Sequence, residues 1–210
     1  MKSQKELVEK LKKEDVLKTK ELIDAFLNVD RAYFVLNYLK DQAYLDEPLP
    51  LVEGQTISQP WTVAFMLELL ELKKGLKCLD IGFGSGWTTM LIWWVTRGET
   101  FASEINSHVF DLGVKNITRF LYEKLNIKEL PEEIHLFNNN GVSDLVSFSP
   151  FDRILVSAAA EKIPQILIDQ LNDGGIMVIP VKNSLFKVLK NNGKIYKEEF
   201  PGFVFVPLIE

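Results

Sequence analysis

The sequence predicts an α/β fold with a mostly parallel central sheet, helices on both faces, an N-terminal helical extension and antiparallel strands near the C-terminal end. Three observations carry that expectation. Short apolar strand-like runs alternate with amphipathic helical runs through the middle of the chain. The glycine cluster Gly82-Phe83-Gly84-Ser85-Gly86 falls between one such strand and the next helix. Finally, Asn192-Gly193 and Pro201-Gly202 punctuate the last strand-like runs, and Asn-Gly between two such runs signals a hairpin.

The elements follow in order. From Glu6 to about Leu39, apolar residues recur at helical intervals through Leu7, Leu11, Val16, Leu22, Ile23, Phe26 and Leu27, which reads as two or three short helices. Asp46, Pro48 and Pro50 then break the pattern into a loop. Helical spacing resumes over Thr62–Leu72. Lys77–Ile81 is a strand, Thr88–Thr96 a helix, Thr100–Ser103 a strand, Val109–Lys124 a helix and Ile134–Phe137 a strand. Phe151–Val156 is a strand, and its apolar run suits a buried parallel strand. A helix over Ile163–Leu171 leads to a turn at Asp173-Gly174-Gly175 and a strand over Ile176–Val181. Leu185–Leu189, Ile195–Glu199 and Phe203–Ile209 complete the expected strands. The chain of 210 residues is read as one domain, with residues 1–50 as the helical extension and 51–210 as a ligand-binding core.

Composition narrows the function. Hydrophobic residues make up 47% and charged residues 25%, so the chain has enough apolar side chains for a packed core. The formal net charge of -5 gives no reason to expect nucleic acid as a partner. The N-terminal lysines are interleaved with glutamates and read as a solvated helix face. The single cysteine, Cys78, cannot form an intrachain disulfide and fits a reducing compartment. Met1–Lys20 carries no apolar signal-peptide core, and Met90–Val95 is too short to cross a bilayer. A soluble cytoplasmic protein without membrane partners is expected, with monomer as the default state.

The glycine turn points to a ligand. Glycines there permit a tight strand-to-helix turn and a close approach of a ligand to the backbone. The helix start presents unpaired N–H groups. The spacing G-x-G-x-G is one residue shorter than the dinucleotide fingerprint. Asp80, just ahead of the turn, would repel a pyrophosphate but could accept a hydrogen bond from an ammonium group. Both features favour S-adenosylmethionine over NAD, and a dehydrogenase is disfavoured by the spacing. Glu104 follows the second strand, 24 positions after Asp80, where an acid can accept both ribose hydroxyls of an adenosine. The bland alternative is a plain tight turn with surface acids.

One stretch is highly distinctive: Leu49-Pro50-Leu51-Val52-Glu53-Gly54-Gln55-Thr56-Ile57-Ser58-Gln59-Pro60, followed by Thr62-Val63-Ala64 and Met66. It is joined by Asp30-Arg31 with Phe34, Leu79 through Gly86, Phe151-Asp152, Ser157-Ala158-Ala159, Ile163-Pro164, Gly174-Gly175, Pro180-Val181 and Phe205-Val206-Pro207-Leu208. By these residues the sequence resembles, from about Asp30 to Ile209, the protein-L-isoaspartate O-methyltransferase family. The resemblance implies a Rossmann-like class I methyltransferase fold. It also implies transfer of the S-adenosylmethionine methyl group to the α-carboxylate of isoaspartyl residues, so that damaged proteins or peptides are the partners. By the same resemblance Ser58 contacts the substrate carboxylate as the catalytic-site residue, while Thr56, Ile57, Gln59 and Val206 shape the peptide channel. Asp80, Gly82, Gly84, Ser85, Gly86, Trp87, Thr88, Glu104, Asn140 and Gly141 are the expected cofactor residues. A separate reading of Ser58-Gln59-Pro60 makes the serine a helix cap.

Three departures stand out. The family usually carries Gly-Asp-Gly after the third strand, and that aspartate receives the adenine amino group. The corresponding residue is Asn140, which keeps a carbonyl acceptor but loses the charge. Asp144 stands where a glycine is usual. The small residue usual in the helix after Glu104 looks absent, with Val114 near its place. These departures keep two alternatives open: another carboxylate substrate on the same fold, or a catalytically weak S-adenosylmethionine-binding paralogue. Trp93 and Trp94 are expected in the core or at an interface, and Cys78 as a small buried hydrophobe. His108 and His135 lack a second ligand at metal spacing, so no metal site is expected.

Overall fold

The computed structural model describes residues 1–209. Helix α1 (Gln4–Lys13) begins at Ser3, whose hydroxyl accepts the Glu6 N–H at 3.2 Å, and buries Leu7, Val8 and Leu11. Helix α2 (Lys20–Asn28) buries Leu22, Ala25 and Phe26. Two 3-10 turns, Arg31–Tyr33 and Asn37–Gln42, complete the extension. The stretch expected as plain loop holds a small hairpin, β1 (Leu49–Pro50) with β2 (Thr56–Ile57). Two-residue strands are too short to show alternation, so no sequence pattern announces them. Helix α3 (Pro60–Leu70) follows with proline in its first turn, where the missing N–H costs nothing.

The main sheet contains β3 (Cys78–Ile81), β4 (Thr100–Ser103), β5 (Ile134–Phe137), β6 (Phe151–Val156), β7 (Leu171–Val181), β8 (Ser184–Asn191) and β9 (Lys194–Pro201). Their order is β5-β4-β3-β6-β7-β8-β9. β3 through β7 pair in parallel, and β8 and β9 continue antiparallel. Helices α4 (Trp87–Thr96), α5 (Ser107–Leu125) and α6 (Gln165–Asp169) lie in the crossovers. Neighbouring strand residues enter different apolar clusters. Cys78, Ala102, Leu155 and Val178 join the cluster that holds α1–α5, while Leu79, Phe101, Ile154 and Met177 join the one that holds Leu167 and Ile168. That two-residue period means both faces of the sheet are covered.

The chain leaves β3 toward β4 on one side and returns to β6 on the other. The carboxyl ends of β3, β4 and β6 therefore border a crevice at a topological switch point.

Three expectations need correction. The helix expected over Ile163–Leu171 shrinks to Gln165–Asp169, because Leu171 pairs with Phe151 and starts β7. Asp173-Gly174-Gly175 is an irregularity inside β7 and not a turn before it: the register jumps from Leu171 to Ile176, with Gly174 at φ 78°. Phe203–Ile209 is not a strand. Gly202, at φ 96°, turns the chain off β9, and the tail then makes one bridge, Ala159 with Pro207. Pro207 has no N–H to extend a ladder. The Ala159 N–H donates to Val206 O at 2.7 Å, the Leu208 N–H donates to Ala159 O at 2.8 Å, and the tail crosses the open end of the crevice.

Candidate active site

The crevice encloses about 440 Å³, within the range of roughly 300–1,000 Å³ usual for small-molecule sites. Its floor is the turn from β3 into α4. Gly82, Gly84 and Gly86 hold φ of 76°, 53° and 88°, a region costly for any residue with a Cβ. Gly82, Gly84, Ser85, Trp87 and Thr88 line the crevice. Gly86 sits behind them as the N-cap of α4, and a Cβ there would stand 2.6 Å from Ile117 Cγ1.

Asp80 also lies behind the lining, fully buried at the end of β3. Its Oδ2 accepts the Thr88 hydroxyl at 2.8 Å and the Thr89 hydroxyl at 2.7 Å, which ties the strand to the first turn of α4. Its Oδ1 is buried without a partner. Burial pushes the carboxyl up from its usual range to about 6, with the two threonine hydroxyls opposing the rise and the nearby Glu104 adding to it.

Glu104 faces the crevice from the end of β4. Its Oε2 accepts the Gly84 N–H at 3.2 Å and its Oε1 the Asn106 N–H at 3.0 Å, so the acid and the glycine turn are held together. The small residue of the following helix is present after all: it is Gly113, one position before Val114. A Cβ on Gly113 would stand 2.4 Å from Phe83 Cε2 and 2.5 Å from Gly84 O. Only glycine lets α5 lie against the turn.

Asn140 and Gly141 close the far side of the crevice. Asn140 Oδ1 accepts the Val142 N–H at 3.0 Å, and the Asn140 N–H donates to Asp144 Oδ2 at 3.0 Å. Asp144 thus occupies the usual glycine place by capping its own loop. Ser103 Oγ donates to the Asn139 carbonyl at 2.9 Å, and Asn138 Nδ2 donates to Glu104 O at 2.8 Å. Gly141 leaves no room for a side chain, since a Cβ would lie 2.8 Å from both Ser103 Cβ and Oγ.

The opposite wall carries Thr56, Ile57, Ser58, Gln59 and Val206. Gln59, and not Ser58, is the N-cap of α3, and it makes no side-chain capping bond. The Ser58 side chain therefore takes no part in capping. Gln59 Nε2 donates to Asp46 O at 3.1 Å, and Asp46 Oδ1 accepts the Trp61 N–H at 2.8 Å, which fixes the loop ahead of α3.

Arg31 organises this wall, a role the sequence did not reveal. Its side chain is fully buried. Nη1 donates to Ala43 O at 2.8 Å and Leu45 O at 3.2 Å, and Nη2 to Glu47 O and Ser58 O, both at 3.1 Å. The guanidinium also lies 5.4 Å from the Trp87 ring centroid. Burial lowers its pKa to about 10, which leaves it a cation at neutral pH. The only local signal was the Asp30-Arg31 pair, whose partners lie 12 to 27 residues away.

Trp87 lines the crevice yet is 1% exposed, with its indole N–H on Val29 O at 3.1 Å and its ring edge-on to Phe26. Trp93 is buried, and the Trp94 indole N–H donates to Asp24 at 2.7 Å, so both fasten α4 within the fold. Cys78 is buried, and desolvation pushes its thiol far above the usual range. His108 pairs with Glu53 at 3.0 Å on the surface, and His135 stacks on Phe101.

The donor set fits S-adenosylmethionine. The crevice offers a glycine backbone without Cβ obstruction, a buried acid with an unpaired oxygen beneath the turn, Glu104 beside Gly84, and the Asn140 carboxamide across from them.

Comparison with known proteins agrees. The model of the protein-L-isoaspartate(D-aspartate) O-methyltransferase family matches residues 2–210. The protein-L-isoaspartate O-methyltransferase of Thermococcus sibiricus is 39% identical over 212 residues, covering 97% of this chain and 91% of its own. That of Pyrococcus abyssi is 35% identical, covering 98% and 94%. A Plasmodium falciparum structure assigned to these enzymes, in complex with S-adenosyl-L-homocysteine, matches with a TM-score of 0.88 at 27% identity and covers 100% of this chain and 99% of its own. The architecture is accordingly the Rossmann-like class I methyltransferase fold, and the chain belongs to the protein-L-isoaspartate(D-aspartate) O-methyltransferase family.

Proposed function

We propose that this chain transfers the methyl group of S-adenosylmethionine to the α-carboxylate of isoaspartyl residues in proteins and peptides, the step that opens their repair. The observation that carries the reading is one crevice lined by both residue sets: Ser58 with Thr56, Ile57 and Gln59 on one wall, and Gly84, Glu104 and Asn140 on the other.

Bound there, S-adenosylmethionine supplies an electrophilic methyl group. The glycine turn would let its amino-acid portion approach the backbone, Asp80 would place negative charge beneath the turn toward its ammonium, Glu104 would accept the ribose hydroxyls, and Asn140 would accept the adenine amino group. Thr88 acts through Asp80 by holding Oδ2. A substrate carboxylate, with a pKa of about 4, is already ionised at neutral pH and needs no general base. Ser58 orients that carboxylate by donating its hydroxyl. Val206 and its neighbours in the tail cover the channel and exclude water, so positioning supplies most of the catalysis.

The same reading takes residues 1–210 as one unit, with 1–50 as an extension of the 51–210 core. The apolar cluster that runs from Leu7 to Leu185 supports it. No described helix is long and apolar enough to cross a membrane. A cytoplasmic location and no binding of nucleic acid complete the reading, supported by the lone buried thiol and the net charge of -5.

The test is labelled methyl transfer to an isoaspartyl peptide beside its normal aspartyl twin. Selective, base-labile labelling is expected, and Ser58→Ala should lower kcat/KM about tenfold through loss of one hydrogen bond to a charged group. Cofactor binding without labelling would point to another carboxylate substrate or a non-catalytic paralogue.

A further inference from the structure

We infer that an aromatic cleft beside the methyl-transfer crevice is a specificity subsite that takes an apolar, preferably aromatic, side chain of the substrate polypeptide near its isoaspartyl residue; this rests on the function proposed above.

The second cleft, about 650 Å³, opens between α3 and the end of β9. It shares Gln59, Thr62, Val204 and Phe205 with the methyl-transfer crevice, so the two form one continuous surface across those residues. A polypeptide with its isoaspartate in the first cleft must leave over this shared wall or away from it. Inside the second cleft stands a ladder of rings. Trp61 and Phe65, four residues apart on one face of α3, stack at 5.4 Å between centroids, and Phe65 stacks on Phe203 at 5.5 Å with planes 10° apart. Trp61 and Phe203 lie 6.3 Å apart, and Phe200 meets Phe65 edge-on at 5.2 Å. None of Trp61, Phe65, Phe200 and Phe203 is fully buried. The ladder fastens the tail to α3, and it also leaves ring surface open in a cleft.

Beside it, Val204 is 86% exposed, an apolar side chain at the junction of the two clefts that none of the described residues covers. An extended peptide places alternate side chains on one side, so one ring-filling residue can enter the ladder while its neighbours face water. Aromatic anchors in such pockets carry much of a recognition energy. Glu199 on the rim disfavours an acidic residue there.

The experiment is steady-state methylation of a peptide panel. Each peptide carries one isoaspartate, and phenylalanine, leucine, alanine or aspartate is moved through the flanking positions on both sides. At one or two positions, phenylalanine should lower KM relative to alanine by about threefold to tenfold, the scale of one added aromatic contact, with aspartate the poorest. In Trp61→Leu and Phe203→Leu that phenylalanine-to-alanine ratio should fall toward one. The ratio is taken within each variant, so a general loss of folding cancels. Equal KM values across the panel, or an unchanged ratio in both variants, would overturn the inference while leaving isoaspartyl methylation intact. No labelling of any isoaspartyl peptide would instead overturn the function on which it rests. Concentration-dependent self-association lost in Trp61→Leu, together with a flat panel, would assign the face to a second copy of the chain.

Discussion

Replacing Asp80 with asparagine isolates the effect of a buried acid on the pH dependence of folding. Asp80 is completely buried, one of its oxygens has no partner, and desolvation moves its pKa from an ordinary 3.8 to about 6. The folded chain therefore holds the proton more tightly than the unfolded chain. The stability tied to this group is fully present well below pH 4 and is lost as pH rises through about 6. A shift of about two units at 1.36 kcal/mol each gives about 3 kcal/mol. Asp80→Asn keeps an acceptor for Thr88 and Thr89 and cannot ionise, so whatever constant penalty it carries does not vary with pH. Urea unfolding of both proteins at pH 4, 5, 6, 7 and 8 yields two stability curves. The curve of the native chain should fall relative to the variant by about 2.4 kcal/mol between pH 4 and pH 7, the rest of the roughly 3 kcal/mol lying below pH 4, and then run parallel. Parallel curves throughout would refute the argument that desolvation dominates at Asp80. A native chain gaining on the variant as pH rises would mean the carboxylate is stabilised as an anion.

Asn140→Asp should tighten S-adenosylhomocysteine binding by about threefold to tenfold, the gain of a charged over a neutral acceptor, as calorimetric titration would read. Gly113→Ala places a Cβ 2.5 Å from Gly84 O; thermal melts should show a loss of about 1–3 kcal/mol despite the better helix propensity of alanine, with weaker S-adenosylhomocysteine binding in titration. Arg31→Met strips the carbonyls of Ala43, Leu45, Glu47 and Ser58 of their shared donor. It should cost about 3 kcal/mol or more, seen as a fall in Tm of about 6–12 °C. Because Ser58 is among the four, peptide KM should rise by a larger factor than the S-adenosylhomocysteine Kd.

The parts legible in the chain of residues are those whose cause is local. A short apolar run, a glycine turn and a helix start appear in the sequence in the order in which the backbone forms them, so β3, Gly82–Gly86 and α4 could be placed directly. Glu104 could be placed because its distance along the chain from Asp80 is set by one crossover helix. Asn192-Gly193 announced the β8–β9 hairpin because both residues adopt the positive φ that such a turn requires, 51° and 70°. What tertiary packing alone decided are contacts between distant segments. Helical periodicity cannot say which residue of α5 meets the glycine turn; the approach of Gly113 to Gly84 O does. An arginine beside an aspartate does not tell which carbonyls its guanidinium will collect, and those of Arg31 come from a loop and from the substrate wall at Ser58. The Phe203–Ile209 run reads as a strand by composition. Its conformation is set by where the sheet ends, by Gly202 turning the chain away, and by the backbone partners that the fold presents to it, Asn183 at Phe203 and Ala159 at Val206 and Leu208. Local conformational preference acts over a few residues and is written in the sequence, whereas the partner of a side chain or an edge depends on the whole packed chain.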